Sequence, residues 1–278
     1  MKNKIRILRT FIRLCVFPNS ENKDLKKKLG ISYFEQAKLL NSNQEYSTTL
    51  FYGKEIIIND PFWYFHSLKE IFLENTYRFC SSNPSPTILD CGANIGMSII
   101  YFKKMFPTSK VIAFEPDKGI YQSLQKNISS FEFDNVTLLR KAVWKADELL
   151  NFGGDTSVGG TLDIRATHNV KAEVEAVTLK PYLRDQQIDF LKIDIEGAEF
   201  EVLKDIINDL ANVKNIFIEY HSNPKSEQYL PELLLLLKSV GYRIYIKEAW
   251  NNMPEPFLYK KYNPFWDLQL NIFGFRED

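Results

Sequence analysis

Four short stretches carry residue types and spacings that could do chemistry, and each begins where an apolar run gives out. In Thr87 to Ser98, T-I-L-D-C-G-A-N-I-G-M-S, the run closes on Asp90 and opens into a turn through Gly92, Ala93, Asn94 and Gly96. Glycine permits positive φ and close backbone approach to a ligand, and Asp90 sets a carboxylate at a strand's carboxyl end. Further on, Val111 to Phe114 ends in Glu115-Pro116. At that spacing a carboxylate commonly accepts hydrogen bonds from a ribose diol. Together the two stretches describe a sheet edge that holds a nucleoside-containing cofactor.

The loop chemistry separates two cofactor classes. A dinucleotide fingerprint, G-x-G-x-x-G, uses its second glycine to make room for pyrophosphate. Here that position is Asn94, and the loop is preceded by Asp90. An acid there repels pyrophosphate but suits the ammonium and sulfonium of S-adenosylmethionine. The pattern therefore favours a methyl donor over a nicotinamide dinucleotide.

The third stretch, Ile188 to Glu199, reads I-D-F-L-K-I-D-I-E-G-A-E. Strand periodicity puts Lys192, Asp194 and Glu196 on one side, and charges at a strand's carboxyl end are costly to bury unless paired. The plain reading is a Lys192–Asp194 or Lys192–Glu196 ion pair. The functional reading is a site, since ligands of open α/β sheets bind at that edge. The fourth stretch, I-F-I-E-Y-H-S, gives Glu219 and His221 the same parity on a neighbouring strand. His221 is the first choice for a general base and Asp194 the second. A Mg²⁺ site on Asp194, Glu196 and Glu219 is the lesser reading, because the Lys192 ammonium could neutralise the same carboxylates. His66 and His168 belong to no constellation.

Alternating elements must position these residues. Expected strands are Thr87–Leu89, Val111–Phe114, Val136–Leu139, Ile188–Ile193 and Asn215–Ile218, with helices between them at Met97–Phe106, Asp117–Asn127 and Ala198–Leu210. A helix at Glu227–Val240 follows the last of these strands. A β-rich insert covers Glu148–Val177. Two further runs, Arg243–Ile246 and Leu268–Phe275, lack a helix between them and form an antiparallel final pair. The expected fold is α/β, a mostly parallel doubly wound sheet with an antiparallel last strand. Ahead of it come a helix over Met1–Val16, a polar flexible connection at Asn19–Lys28, a hairpin at Ser47–Asn59 turning near Gly53, and a helix over Trp63–Phe79. The Ser/Pro-rich break Ser81–Pro86 places a boundary near residue 86, dividing 1–86 from 87–278.

Taken together, L-D-C-G-A-N-I-G, A-F-E-P, R-K-A-V-W, L-K-I-D-I-E-G-A-E, I-E-Y-H-S and Q-L-N-I-F-G-F resemble the FkbM-type family of S-adenosylmethionine-dependent methyltransferases, in order over roughly residues 45 to 276. The resemblance implies a class I methyltransferase fold and O-methylation, commonly of sugar hydroxyls on surface polysaccharides, glycolipids or secondary metabolites. It also implies that Asp90, Gly92, Asn94 and Gly96 hold the methionine end. By the same resemblance Glu115 binds the ribose hydroxyls, Lys141 and Ala142 lie near the adenine, and Asp194, Glu196 and His221 face the acceptor. The alternatives are a nicotinamide-dependent sugar oxidoreductase and a non-catalytic binding module.

The bulk properties narrow the partners. A net charge of +0 gives no support for nucleic-acid binding driven by overall charge. Three cysteines without C-x-x-C spacing point to neither a disulfide framework nor zinc, and fit a reducing cytoplasm. A small-molecule or glycan acceptor is the expected partner, and the oligomeric state is not specified. Within Met1–Val16, Ile5, Leu8, Ile12 and Cys15 share one helical face, and Lys2, Arg6, Arg9 and Arg13 the other. The favoured reading packs that apolar face inward and leaves the basic one in solvent. The other reading lays the helix on the membrane inner face or a lipid-linked substrate.

Overall fold

A computed structural model of the protein describes residues 2–42, 47–153, 161–162, 172–261 and 265–276. The chain divides into two compact units. The first gathers Met1–Arg78, Ala93–Pro107 and Lys118–Asp134, and the second Phe79–Gly92, Thr108–Asp117 and Asn135–Asp278. Where the sequence suggests a boundary near residue 86, the first unit thus ends at Arg78 and takes in two later segments.

The first unit begins with helices α1 (Lys2–Val16), α2 (Ser20–Leu29) and α3 (Tyr33–Leu40). The expected flexible connection at 19–28 is instead α2. Its lysines are solvated, but Leu25 and Leu29 are buried, the Asn19 side chain accepts from the Asn22 N–H, and Gly30 closes the helix in the left-handed region. The hairpin forms as expected from β1 (Ser47–Phe51) and β2 (Lys54–Ile58), with Tyr52 and Gly53 both at positive φ in the turn. Helix α4 (Pro61–Ser67) runs on into a π-helical turn, Leu68–Leu73. It stops short of the expected Phe79, so Tyr77 packs on Phe102 from outside any helix. Helices α5 (Met97–Met105) and α6 (Lys118–Phe131) complete this unit. Asn127 on α6 is almost wholly buried and ties the unit together: its Oδ1 accepts from the Ile57 N–H at 2.7 Å, and its Nδ2 donates to the Ile57 and Ile95 carbonyls.

The second unit is built on a seven-stranded sheet. Its strands are β3 (Thr87–Cys91), β4 (Lys110–Phe114), β5 (Val136–Leu139), β10 (Ile188–Ile193), β11 (Val213–Ser222), β12 (Arg243–Trp250) and β13 (Leu268–Phe275), in the order β12-β13-β11-β10-β3-β4-β5. Strands β5, β4, β3, β10 and β11 are parallel, and β13 runs antiparallel between β11 and β12. The strand order therefore reverses between β3 and β10, the switch point where open α/β sheets bind ligands. A smaller sheet joins β7 (Glu148–Gly153), β8 (Thr161–Leu162) and β9 (Ala172–Val177) of the expected insert to β6 (Ala142–Val143), which precedes it. The glycine pairs at 153–154 and 159–160 and His168 fall wholly or partly outside the described residues. Helices α7 (Lys180–Leu183), α8 (Glu199–Ile206) and α9 (Leu230–Ser239) supply apolar residues to one core with the sheet, among them Leu183, Val202, Leu203, Leu233 and Leu237. Every residue of β10 is buried, as befits a central parallel strand.

Candidate active site

The switch point brings Asp90 of β3 and Lys192 of β10 into register as strand neighbours. Both are buried, and Lys192 Nζ lies 3.5 Å from Asp90 Oδ1 and 3.0 Å from Asp194 Oδ2. The same ammonium donates to the Gly92 carbonyl at 2.8 Å. Burial alone would lower the Lys192 pKa, but Asp194 and then Asp90 raise it above its ordinary range. Lys192 is thus a charged tie that balances two acids and anchors the loop after β3. Asp90, whose carboxylate the sequence places as a ligand contact, is wholly shielded from solvent.

Gly92 sits at φ +87, and a Cβ there would lie 1.8 Å from the Asp194 backbone oxygen. Only glycine lets the two loops at the switch point approach this closely. The chain continues through Ala93 and Asn94, at φ 48 with its Oδ1 accepting from the Ile95 N–H, to Gly96 at φ +93. A Cβ on Gly96 would crowd Leu124 and Ile128 within the first unit. One strand over from β3, Glu115 follows β4; it is buried, its N–H donates to the Leu139 carbonyl, and its Oε1 accepts from the Asp117 N–H at 2.9 Å. Pro116 behind it is half-buried. Lys141 makes an ion pair with Glu175 at 3.2 Å, and Ala142 is buried in β6 beside Ala176.

The acid-rich strand ends converge on His221. Strand β11 extends to Ser222, four residues beyond the expected end, so Glu219 and His221 both lie within it. The His221 side chain is 1% exposed. Its Nε2 lies 3.4 Å from Glu219 Oε1 and 3.7 Å from Glu196 Oε2, and its Nδ1 3.1 Å from Glu199 Oε1. Burial would lower the His221 pKa, but Glu196 and Glu199, with hydrogen bonds to Glu199 and Glu219, raise it well above 6.5. The carboxylates around it thus favour the protonated imidazole more than water does. Burial raises Glu196 in turn; His221 pulls it back, and Asp194, Glu219 and Glu199 carry it up to about 8. Glu219 is raised too, by burial and then by Asp194. Protons in this cluster belong to the group rather than to single residues.

Two members of the cluster have no assigned role in the sequence reading. Glu199, at the first turn of α8, accepts from the Ile195 and Gly197 N–H groups as well as facing His221. An acid at a helix start after a glycine turn is the signal that could have found it. Trp266 lies with its ring centroid 5.1 Å from that of His221, and a Cβ on Gly197 would meet it at 3.2 Å. No local pattern marks Trp266, because it arrives from far along the chain. Glu196 holds φ 55, a left-handed backbone that glutamate rarely adopts. Asp194, Glu219 and His221 present possible metal-ligand atoms within 4.8 Å of one another. The trio expected from sequence has Glu196 in place of His221. In the first unit, His66 lies 3.7 Å from Glu70.

The FkbM methyltransferase domain model matches residues 90–244, more than half of the chain. The chain belongs to this family. Methyltransferase sdnD of Sordaria araneosa is 28% identical over 212 residues, which cover 63% of this chain and 81% of that one. The 2-O-methyltransferase NoeI of Sinorhizobium fredii is 24% identical over 168 residues, covering 53% and 68% respectively. Among solved structures, the FkbM methyltransferase of Methylobacillus flagellatus superposes with a TM-score of 0.50 at 16% identity, over 98% of this chain and 59% of that one. That likeness shows the class I methyltransferase fold, and the chain spans just under three fifths of that relative's length. The protein is a methyltransferase, and its cofactor is S-adenosylmethionine. The residues present fit that group: Gly92 lets the turn after β3 pass hard against the Asp194 backbone at the switch point, and the buried Glu115 carboxylate follows β4, the next strand.

Proposed function

We propose that the protein is an O-methyltransferase whose acceptor is a hydroxyl of a sugar, in a surface polysaccharide, glycolipid or secondary metabolite. The observation that carries this reading is the cluster of carboxylates around His221 at the carboxyl ends of β10 and β11. A hydroxyl needs a proton acceptor as its oxygen attacks, whereas the neutral amines of many other acceptors need less help. The name of NoeI, a 2-O-methyltransferase, supports the same direction.

S-adenosylmethionine supplies a methyl group made electrophilic by its sulfonium. Gly92 and, following it in the chain, Ala93, Asn94 and Gly96 hold the methionine end. Glu115, with Pro116 behind it, takes the ribose hydroxyls, and Lys141 and Ala142 border the adenine. A carboxylate of this chain would take the hydroxyl proton as the acceptor oxygen receives the methyl of a bound S-adenosylmethionine, whose sulfur keeps the S–C electron pair. Glu196 takes that role in place of the His221 expected from sequence, because burial raises its pKa to about 8 while the surrounding carboxylates favour a protonated His221 that has no site left for the proton. Asp194 is the alternative. His221, whose neighbours favour its protonated form, presents Nε2 to Glu219 at 3.4 Å and to Glu196 at 3.7 Å and steadies negative charge there. Lys192 keeps Asp194 and the Gly92 carbonyl in place. Positioning of donor and acceptor in line supplies much of the remaining rate.

A divalent cation on Asp194, Glu219 and His221 is the second reading, favoured by the closeness of their ligand atoms. The Lys192 ammonium, 3.0 Å from Asp194, and the raised proton affinity of His221 weigh against it. Incubating the protein with methyl-labelled donor and a panel of defined glycans, with and without chelator, tests both readings. Label recovered as a methyl ether on a sugar supports the proposal. Label recovered only on nitrogen or carbon acceptors overturns it, and transfer abolished by chelator moves the mechanism to the metal.

A further inference from the structure

Helix α1 is held in the first unit by a face other than the one its sequence pattern points to. Leu14 is 3% exposed, the Phe11 ring meets Phe34 of α3 edge-on at 5.8 Å, and Asn41 bonds both Thr10 Oγ1 and Arg6 Nε. The apolar line expected to pack inward faces solvent instead: Ile5 is 46%, Leu8 57% and Ile12 53% exposed and Cys15 is exposed too, with Val16, 59% exposed, continuing the ridge. Spacings of three and four residues align these side chains along one ridge. Lys4 borders the ridge on one side and Arg9 and Arg13 on the other, and the helix contains no acidic residue.

We propose that this ridge seats the protein on an anionic lipid surface, with α1 lying in the interface plane. Aliphatic side chains enter the headgroup–acyl boundary while the flanking cations meet lipid phosphates, the division that interfacial helices use. No helix among the described residues is long and apolar enough to cross a membrane, so α1 lies on the surface rather than spanning it. Charge decides against a second copy of the chain as the occupant. A two-fold contact through this ridge would bring Lys4, Arg9 and Arg13 of one copy against the same cations of the other. The proposal stands apart from the acceptor assignment, since it rests only on α1 and its packing against α3.

The test is co-sedimentation of the full chain with vesicles of phosphatidylcholine alone or with a third phosphatidylglycerol, at low and high salt. Binding is expected to be about tenfold stronger to the anionic vesicles at low salt and to weaken as salt rises. The double substitution Leu8→Ser/Ile12→Ser should reduce binding about tenfold to both vesicle types. Arg9→Ser/Arg13→Ser should reduce it on anionic vesicles only. Because these side chains are exposed, circular dichroism and S-adenosylhomocysteine binding should match the parent chain, which separates this failure from any failure of the methyltransferase site. Absence of vesicle binding, equal binding to neutral and anionic vesicles, or variants that bind like the parent would overturn the proposal. So would a dimer in sedimentation that Leu8→Ser/Ile12→Ser converts to monomer without any vesicle binding.

Discussion

His221 and Glu199 behave as one unit: Nδ1 and Oε1 lie 3.1 Å apart, and both side chains are 1% exposed. That contact turns Nε2 toward Glu196 and Glu219 and favours the protonated ring. Glu199→Gln keeps the size but removes the charge. The His221 pKa should then fall toward its ordinary range, followed by NMR titration of the ring proton in a chain with three histidines. An unmoved titration would mean that Glu199 holds the α8 loop and nothing more.

Glu196 gives two opposite readouts. If it accepts the acceptor's proton, methyl transfer rises with pH through about 8, and Glu196→Gln lowers turnover by about two to four orders of magnitude and flattens that limb. Stability should move the other way. The carboxyl holds its proton up to about 8 when folded but ionises near 4.5 when unfolded, so stability falls as pH rises between those values. Glutamine removes that fall and should stabilise the chain at the alkaline end by on the order of 1–3 kcal/mol. Thermal melts across the pH range check it; a variant that is both inactive and less stable would contradict the assignment.

Lys192 is more a structural tie than a reacting group. Replacing it with methionine leaves the buried Asp90 without its counter-charge beside the partly exposed Asp194, with the Gly92 carbonyl unserved. The loss should be about 3–5 kcal/mol in denaturant unfolding. A variant that keeps parental stability but loses turnover would instead put Lys192 in the chemistry.

Two glycines with positive φ separate strain from close approach. Gly53, in the hairpin turn, has open space where a Cβ would sit, whereas at Gly92 the Asp194 oxygen would be 1.8 Å away. Gly53→Asn should fold and bind S-adenosylhomocysteine like the parent chain. Gly92→Ala must displace one of the two loops, and binding measured by calorimetry should fall by about a hundredfold or more. Equal behaviour of the two variants would remove the claim that the β3–β10 crossing shapes the donor site.

How legible the molecule is in its sequence depends on how local the cause is. The strands β5, β10 and β13 are read to the residue because their apolar runs stop at polar turns. The hairpin is read from Gly53. Helix α2 is hidden by its lysines, which extend into solvent while Leu25 and Leu29 alone face inward. The face of α1 is misread because periodicity shows that an apolar stripe exists without showing what it touches. At the site, Glu219 and His221 share a strand as their parity indicates, whereas β10 ends at Ile193, so Asp194 and Glu196 reach the cluster from the loop beyond it and not by strand parity. The proton affinity of His221 is not legible locally, since it depends on three carboxylates converging from a turn, a helix start and a strand. Trp266 reaches His221 through tertiary packing alone.

The central claim is that this chain binds S-adenosylmethionine at the β3–β4 edge and uses it for methyl transfer. Titration calorimetry of the folded protein with S-adenosylhomocysteine, alongside a nicotinamide dinucleotide, tests it most directly. Saturable one-to-one heat with the former, lost on Glu115→Ala, and none with the latter is the predicted result. No heat with S-adenosylhomocysteine, or saturable binding of the dinucleotide alone, would contradict it.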